Sequence, residues 1–258
     1  MKTRKKIVAM LLTLLVVCVL GSIFLTTLTT QSEDDSYRKI FNEKIEKWKE
    51  ACRNNSKISL YSYSGPYIKT KEFGEIVELG IEYLPYMEEY IEDNNDIYAS
   101  ALVVAVHLNA KTYIDDESYS SKREWIEEWK KFKNQLPDRV EKIIKEMNET
   151  NDPEKLNELK KDMAENGVLV LPFILEDIKD GNENLADVVR IIFSSESRFC
   201  EGLKEVGKLH GDNYYEENIQ NILSVDTSIP TDNDKDKWKK WINDFEKKNE
   251  KIKSLLKQ

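Results

Sequence analysis

At 258 residues and 30.2 kDa the chain can bury a sizeable core, in one elongated domain or two small ones. Nine Gly, six Pro, 34% charged and 10% aromatic residues exclude disorder throughout and favour amphipathic helices over turn-rich β structure, so the expected class is all-α. Beyond the four cations of the N-terminus, 35 Lys and Arg face 48 Asp and Glu, a net charge of −13; this surface repels nucleic acid and anionic lipid and leaves neutral, cationic or protein partners.

Lys2, Arg4, Lys5 and Lys6 precede an uncharged, mostly apolar run from Ile7 to Leu25, and Glu33, Asp34 and Asp35 follow it. Such a run is about as long as the ~20 helical residues that span a hydrocarbon core. Residues 1–30 therefore read as a signal-anchor or transmembrane segment that meets the membrane through 7–25. The basic flank keeps the N-terminus in the cytoplasm and the bulk of the chain extracytoplasmic, a single-pass arrangement. No A-x-A cleavage signal stands there; removal of residues 1–22 after Gly21-Ser22 would release a secreted protein instead. Cys18 follows Leu15, Val16 and Val17, and the β-branched Val17 stands where a lipidation signal needs a small residue, so an apolar thiol in a membrane helix is the expectation.

Residues 31–64 read as an amphipathic helix and a linker. Ile40, Phe41, Ile45, Trp48 and Cys52 recur at spacings of three to four, one apolar face, until the serines and Gly65-Pro66 of "RNNSKISLYSYSGPY" break the pattern. Phe73, Ile76, Val77 and Leu79 then predict a helix ended by Gly80, and a second helix starts at Pro85 with Leu84, Met87 and Ile91 on one face. Asp96 is the expected N-cap of "IYASALVVAVHL", apolar almost all round and so buried.

The same order returns after residue 150. Asp152 caps a helix with Pro153 at its first position, and Gly167, Pro172 and an Asp180-Gly181-Asn182 turn lead to "LADVVRIIF". Residues 80–95 and 167–182 share seven of sixteen letters, Gly80/Gly167, Leu84/Leu171, Pro85/Pro172, Glu89/Glu176, Ile91/Ile178, Asp93/Asp180 and Asn95/Asn182, where chance gives about one. A second echo pairs Trp125, Ile126, Glu128 and Trp129 with Trp241, Ile242, Asp244 and Phe245. Each puts two aromatics at i and i+4, which meet on one helix face, and Ser121 with Glu124 forms a capping box before the first. Residues 65–150 and 151–258 thus read as two divergent helical-repeat units.

A Gly, then Leu-Pro-aromatic-aliphatic, a helix, an Asp-Asn turn and a buried small-and-aliphatic helix resembles the HEAT and armadillo-like helical repeats over about residues 65–258. With the closing W-I-x-[ED]-[WF] the chain is also similar to exported or membrane-anchored helical-repeat proteins of Gram-positive bacteria. Each copy is longer than the ~40 to 47 residues of a HEAT repeat and must hold more than one helix pair. Arg190 matches the Arg after the turn of such repeats, but Ser100 and Ala101 stand in the first copy. The resemblance implies a short α-solenoid that acts as a binding scaffold, and it carries over no functional residue.

Catalytic and metal-binding patterns are sparse. His107 lies in the most apolar helix, where a hydrogen-bonded core histidine is expected, and His210 beside Gly211 reads as a helix end or loop. No H-E-x-x-H, paired-Cys ligand set, G-x-S-x-G or phosphate-cradling Gly loop occurs. Asp232, Asp234 and Asp236 fit positions 1, 3 and 5 of a calcium loop, but Lys237 and Asn243 stand where the EF-hand needs Gly and Glu, so an acidic helix start is expected, with Asp236 as its cap. Cys52 and Cys200 read as isolated thiols, although the compartment permits a disulfide. No catalytic, cofactor or metal site is therefore assigned. The expected function is binding of a protein or peptide partner in the cell envelope, with Tyr63, Tyr67, Tyr86, Tyr214 and Tyr215 as candidate anchors. A wall-polymer hydrolase built on a carboxylate pair and a membrane-signalling accessory protein are the rival readings.

Overall fold

The computed structural model describes residues 34–112, 121–194, 199 and 228–248, and every regular element among them is helical. Residues 34–54 form α1; α2 (Lys71–Val77), α3 (Leu84–Asp93), α4 (Ile97–Ala110), α5 (Lys122–Glu149), α6 (Pro153–Ala164), α7 (Leu171–Lys179), α8 (Glu183–Ile192) and α9 (Lys235–Lys248) follow, with short 3₁₀ turns at Tyr67–Lys69, Ile81–Tyr83 and Gly167–Val170. The all-α expectation holds. Among the described residues no helix is long and apolar enough to cross a membrane; residues 1–30, with Cys18, lie outside them, as do Cys200, His210, Tyr214 and Tyr215.

The chain divides into two compact units, residues 1–46 and 47–258. In the first, Phe41 and Ile45 are buried at spacing four. Ile40 is 39% exposed, against the expectation. One residue along a helix is a rotation of about 100°, which carries Ile40 off the stripe that its neighbour occupies.

The second unit opens on an aromatic cluster. Trp48 is fully buried and its indole Nε1 donates to the carbonyl of Tyr67 at 3.0 Å. Its ring lies 5.3 Å from Phe73 of α2 and meets Tyr98 of α4 edge-on at 5.0 Å, while Tyr98 also meets Tyr67 edge-on at 5.4 Å. Aromatic pairs in this geometry each add about 1 kcal/mol beyond the area they bury.

The remaining helices repeat one pattern. In the first copy α4 packs on α2 and α3, and α5 packs on α3; in the second α8 packs on α6 and α7, and α9 packs on α7. Among the described residues each copy therefore shows four helices, more than the single pair of a HEAT repeat. The shared letters fall where this frame needs them. Leu84 and Leu171, and Ile91 and Ile178, are buried, and Pro85 and Pro172 stand in first turns, where a missing N–H costs nothing. Glu89 and Glu176 are exposed, so that identity is not architectural. The caps differ by one place: Asp96 accepts from Ala99 N in the first copy, Asn182 from Leu185 N in the second.

The copies share one device that their shared letters do not show. Lys122, the first residue of α5, donates from Nζ to the carbonyl of Ile91 near the end of α3 at 3.1 Å. Lys235, the first residue of α9, reaches the carbonyl of Asp180 at the end of α7 at 2.8 Å. Each lysine places a cation on the negative end of a helix and satisfies one of its orphan carbonyls.

The two repeated glycines do different work. Gly80 has φ 87° and ψ −176°, a region nearly confined to glycine, and α2 ends at Val77 rather than reaching it. A Cβ there would touch nothing within 4 Å. Gly167 has φ 61°, and a Cβ there would lie 2.0 Å from the Ala110 carbonyl oxygen and 2.5 Å from that of Lys111. The backbone at the end of α4 rests directly on it. At the same corner Thr112 Oγ1 donates to the Glu165 carbonyl at 2.6 Å, and Lys111, left-handed at φ 51°, holds its ammonium 5.6 Å from the centroid of Phe193. This corner joins the copies.

Candidate functional site

After α1 the chain turns on Asn55. Its side-chain oxygen accepts from Lys57 N at 3.1 Å, and its carbonyl accepts from Ile58 N and Ser59 N at 3.0 Å each. The Ile58 carbonyl accepts from Tyr61 N at 3.0 Å, and Tyr67 Oη donates to the Tyr61 carbonyl at 3.2 Å. Backbone bonds thus hold the loop while its apolar side chains stay out of the core: Leu60 is 85% exposed, Tyr61 48% and Tyr63 58%. Among the described residues four large apolar side chains are exposed, and three of them stand in these four positions. Single exposed apolar residues are ordinary, whereas a cluster marks an interaction surface. The Tyr61 and Tyr63 rings meet edge-on at 5.4 Å, and Tyr63 lies over Gly65, where an added Cβ would stand 2.8 Å from its ring. The contact between the two tyrosine rings restrains both side chains, and such restraint lowers the entropy lost on binding.

Of the tyrosines expected as anchors, Tyr63 is exposed and joins this cluster. Tyr67 and Tyr86 are buried at 6% and 4% exposure, so packing at helix crossings claims them. Leu60 and Tyr61 went unrecognised, although their signal was present: apolar letters among serines with neither a helical nor a strand period have no core to enter.

His107 sits where a core histidine was expected. It is 5% exposed, and its Nε2 accepts from Trp125 Nε1 at 3.0 Å, which makes it the Nδ1–H tautomer at that bond. Trp125 stacks on Trp129 with centroids 5.6 Å apart and planes 11° from parallel, and Trp241 stacks on Phe245 at 5.3 Å and 23°; both aromatic pairs are packing. Trp129 Nε1 donates to Glu88 Oε1 at 2.7 Å, and Lys133 Nζ pairs with Glu88 Oε2 at 2.5 Å, the two charged side chains 11% and 12% exposed. Both oxygens of Glu88 are engaged in fastening α3 to α5.

The acidic stretch before α9 is also occupied by protein. Asp234 rather than Asp236 caps the helix, accepting from Asp236 N at 2.9 Å and Lys237 N at 3.2 Å. A cap must precede the first turn, and α9 starts at Lys235. The Lys237 ammonium pairs with Asp232 at 2.5 Å and holds that carboxyl below its usual range. Arg190 closes the loop from α8, donating to the carbonyls of Pro230 at 3.0 Å and Asp232 at 2.7 Å and lying 5.2 Å from the Trp238 ring centroid. Among the described residues no three His, Cys, Asp or Glu side chains are grouped to hold a metal ion. Cys52 is buried and has no disulfide partner among them; burial, then the charge of Glu72, pushes its thiol up to about 11. No protein-family model, curated protein or solved structure matches the chain.

Proposed function

We propose that the protein is a membrane-anchored, extracytoplasmic binding scaffold, in which two helical-repeat copies form a short α-solenoid and the loop bearing Leu60, Tyr61 and Tyr63 engages a protein or peptide partner. The observation that carries this reading is the contrast among the aromatics. Trp48, Trp125, Trp129 and Tyr67 are spent on the core, while Leu60, Tyr61 and Tyr63 are held outward by a hydrogen-bonded backbone at a cost in exposed apolar surface. Tyrosine offers a large, stiff contact area and a polar tip, the composition of interface anchors. Residues 7–25 supply the anchor, and their flanking charges set the orientation.

A photo-crosslinking amino acid at position 61, in full-length protein expressed in its native envelope, tests the proposal. Capture of a discrete protein from position 61, but not from position 86 in the core, is the expected result. Adducts confined to wall polymer, or equal capture from both positions, would reject it.

A further inference from the structure

We infer that the segment received by the Leu60–Tyr61–Tyr63 loop is acidic: a carboxylate-bearing peptide stretch of the partner protein whose apolar side chains meet the loop and whose charges meet its basic flanks. This rests on the binding reading above and adds the partner's chemistry. From Ala51 to Lys71 the chain carries Arg53, Lys57, Lys69 and Lys71 and not one Asp or Glu, in an outer part with net charge −13. A run of 21 residues without a carboxylate is a local reversal of sign, and it coincides with the exposed cluster. Lys71 is paired with Glu75 at 3.8 Å. Arg53 and Lys57 are exposed, flank the Asn55 turn, and make no ion pair with a carboxylate among the described residues. A basic patch on an acidic body concentrates its field at one place: acidic chains are repelled elsewhere and steered here, while cationic chains are drawn to the rest of the surface. Along the chain the loop therefore sets an apolar centre between cations, bounded by Glu50 and Glu72, the composition of an interface core with a charged rim.

The occupant is a peptide rather than a lipid surface because the surrounding acidic body would be forced against anionic headgroups when so small a patch lay flat on a bilayer. A peptide meets only the patch.

The test uses the full chain in neutral-detergent micelles and a fluorescein-labelled random copolymer of glutamate and tyrosine as probe, with binding read by anisotropy. The copolymer is expected to bind, and Arg53→Glu/Lys57→Glu and Tyr61→Ser/Tyr63→Ser each to weaken it tenfold or more with unchanged far-UV circular dichroism. For the unaltered chain, raising the salt should also weaken binding, since exposed charges are screened beyond about 10 Å at ~0.1 M. Equal affinity in the charge-reversed variant, or equally tight binding of a lysine–tyrosine copolymer that Tyr61→Ser/Tyr63→Ser abolishes, overturns the acidic partner. The second result leaves the binding role of the loop intact. Displacement of the probe by phosphatidylglycerol vesicles but not by phosphatidylcholine vesicles overturns it in favour of lipid.

Discussion

Replacement of Gly167 by alanine isolates one contact between the two copies, that of the end of α4 with residue 167. The new Cβ would lie 2.0 Å from the Ala110 carbonyl oxygen, 2.5 Å from the Lys111 oxygen and 2.7 Å from the Lys111 carbonyl carbon. All three are backbone atoms, so no side chain can turn aside. The end of α4 must withdraw from residue 167, and overpacking of this kind costs about 1 to 3 kcal/mol. The left-handed φ of 61° adds about 1 kcal/mol for a residue with a Cβ. Loss of the Thr112–Glu165 hydrogen bond at the same corner adds roughly 1 kcal/mol. The expected total is about 3 to 5 kcal/mol, a large share of the ~5 to 15 kcal/mol that holds a domain together. Gly80→Ala is the control, because its added Cβ meets nothing within 4 Å and it bears only the conformational penalty of about 1 to 3 kcal/mol. Urea unfolding of the full chain in neutral micelles, followed at 222 nm, gives both values. Should Gly167→Ala lower the midpoint no more than Gly80→Ala, the end of α4 does not rest on residue 167 and the account of how the copies join is wrong.

Further outcomes follow from other contacts. His107→Phe leaves the buried Trp125 N–H without an acceptor and should cost about 1 to 3 kcal/mol, with His107→Gln retaining part of it; no change in the urea midpoint would show that the bond is not formed. Burial raises the Cys52 thiol from 9.0 to about 11 and the Tyr90 phenol from 10.0 to about 12, so the fold favours both neutral forms. Their contribution is complete below pH 9 and declines as pH rises through about 11 and 12, because the unfolded chain ionises first; Cys52→Ala should flatten the pH 9 to 11 portion, worth up to about 2 kcal/mol, and an identical slope in that variant would contradict it. Tyr61→Ser/Tyr63→Ser should change stability by less than about 0.5 kcal/mol, whereas Tyr67→Ala should cost about 3 to 5 kcal/mol; comparable midpoints would mean that the exposed and buried tyrosines have been misassigned.

Much of the helical frame was legible because its signals are local. Asp152, Asp96 and Ser121 accept from the backbone N–H groups that their cap positions imply, and Leu84, Met87 and Ile91 all enter the core. Where the reading failed, a neighbour at long range decided the outcome. Nothing in the letters around Gly167 says that the end of α4 will lie upon it, and Gly80 looks the same in sequence while having open space beside it. The Lys122 and Lys235 bonds span 31 and 55 residues, so no fixed spacing could reveal them. The cap before α9 is Asp234, two residues before the Asp236 expected, because three alternating aspartates offer the same chemistry and the letters do not single out the one that precedes Lys235, where the helix starts. The candidate surface is half visible in the letters: Tyr63 is an expected anchor, but choosing among tyrosines needs their burial, and Leu60 and Tyr61 stand beside it without a helical or strand period.

The lysine at the head of each closing helix also separates a copy's frame from its contour length. Eleven residues, 111–121, separate α4 from α5 and 42, 193–234, separate α8 from α9, yet both closing helices begin with an ammonium on the end of the described helix two places earlier. Chain of very different length is thereby returned to an equivalent starting point, and lengthening the chain between two fixed points adds only a slowly growing closure entropy. That makes the connection before the closing helix the place where lineages can splice in new sequence, or an engineer a foreign domain, while the surrounding helices keep their register.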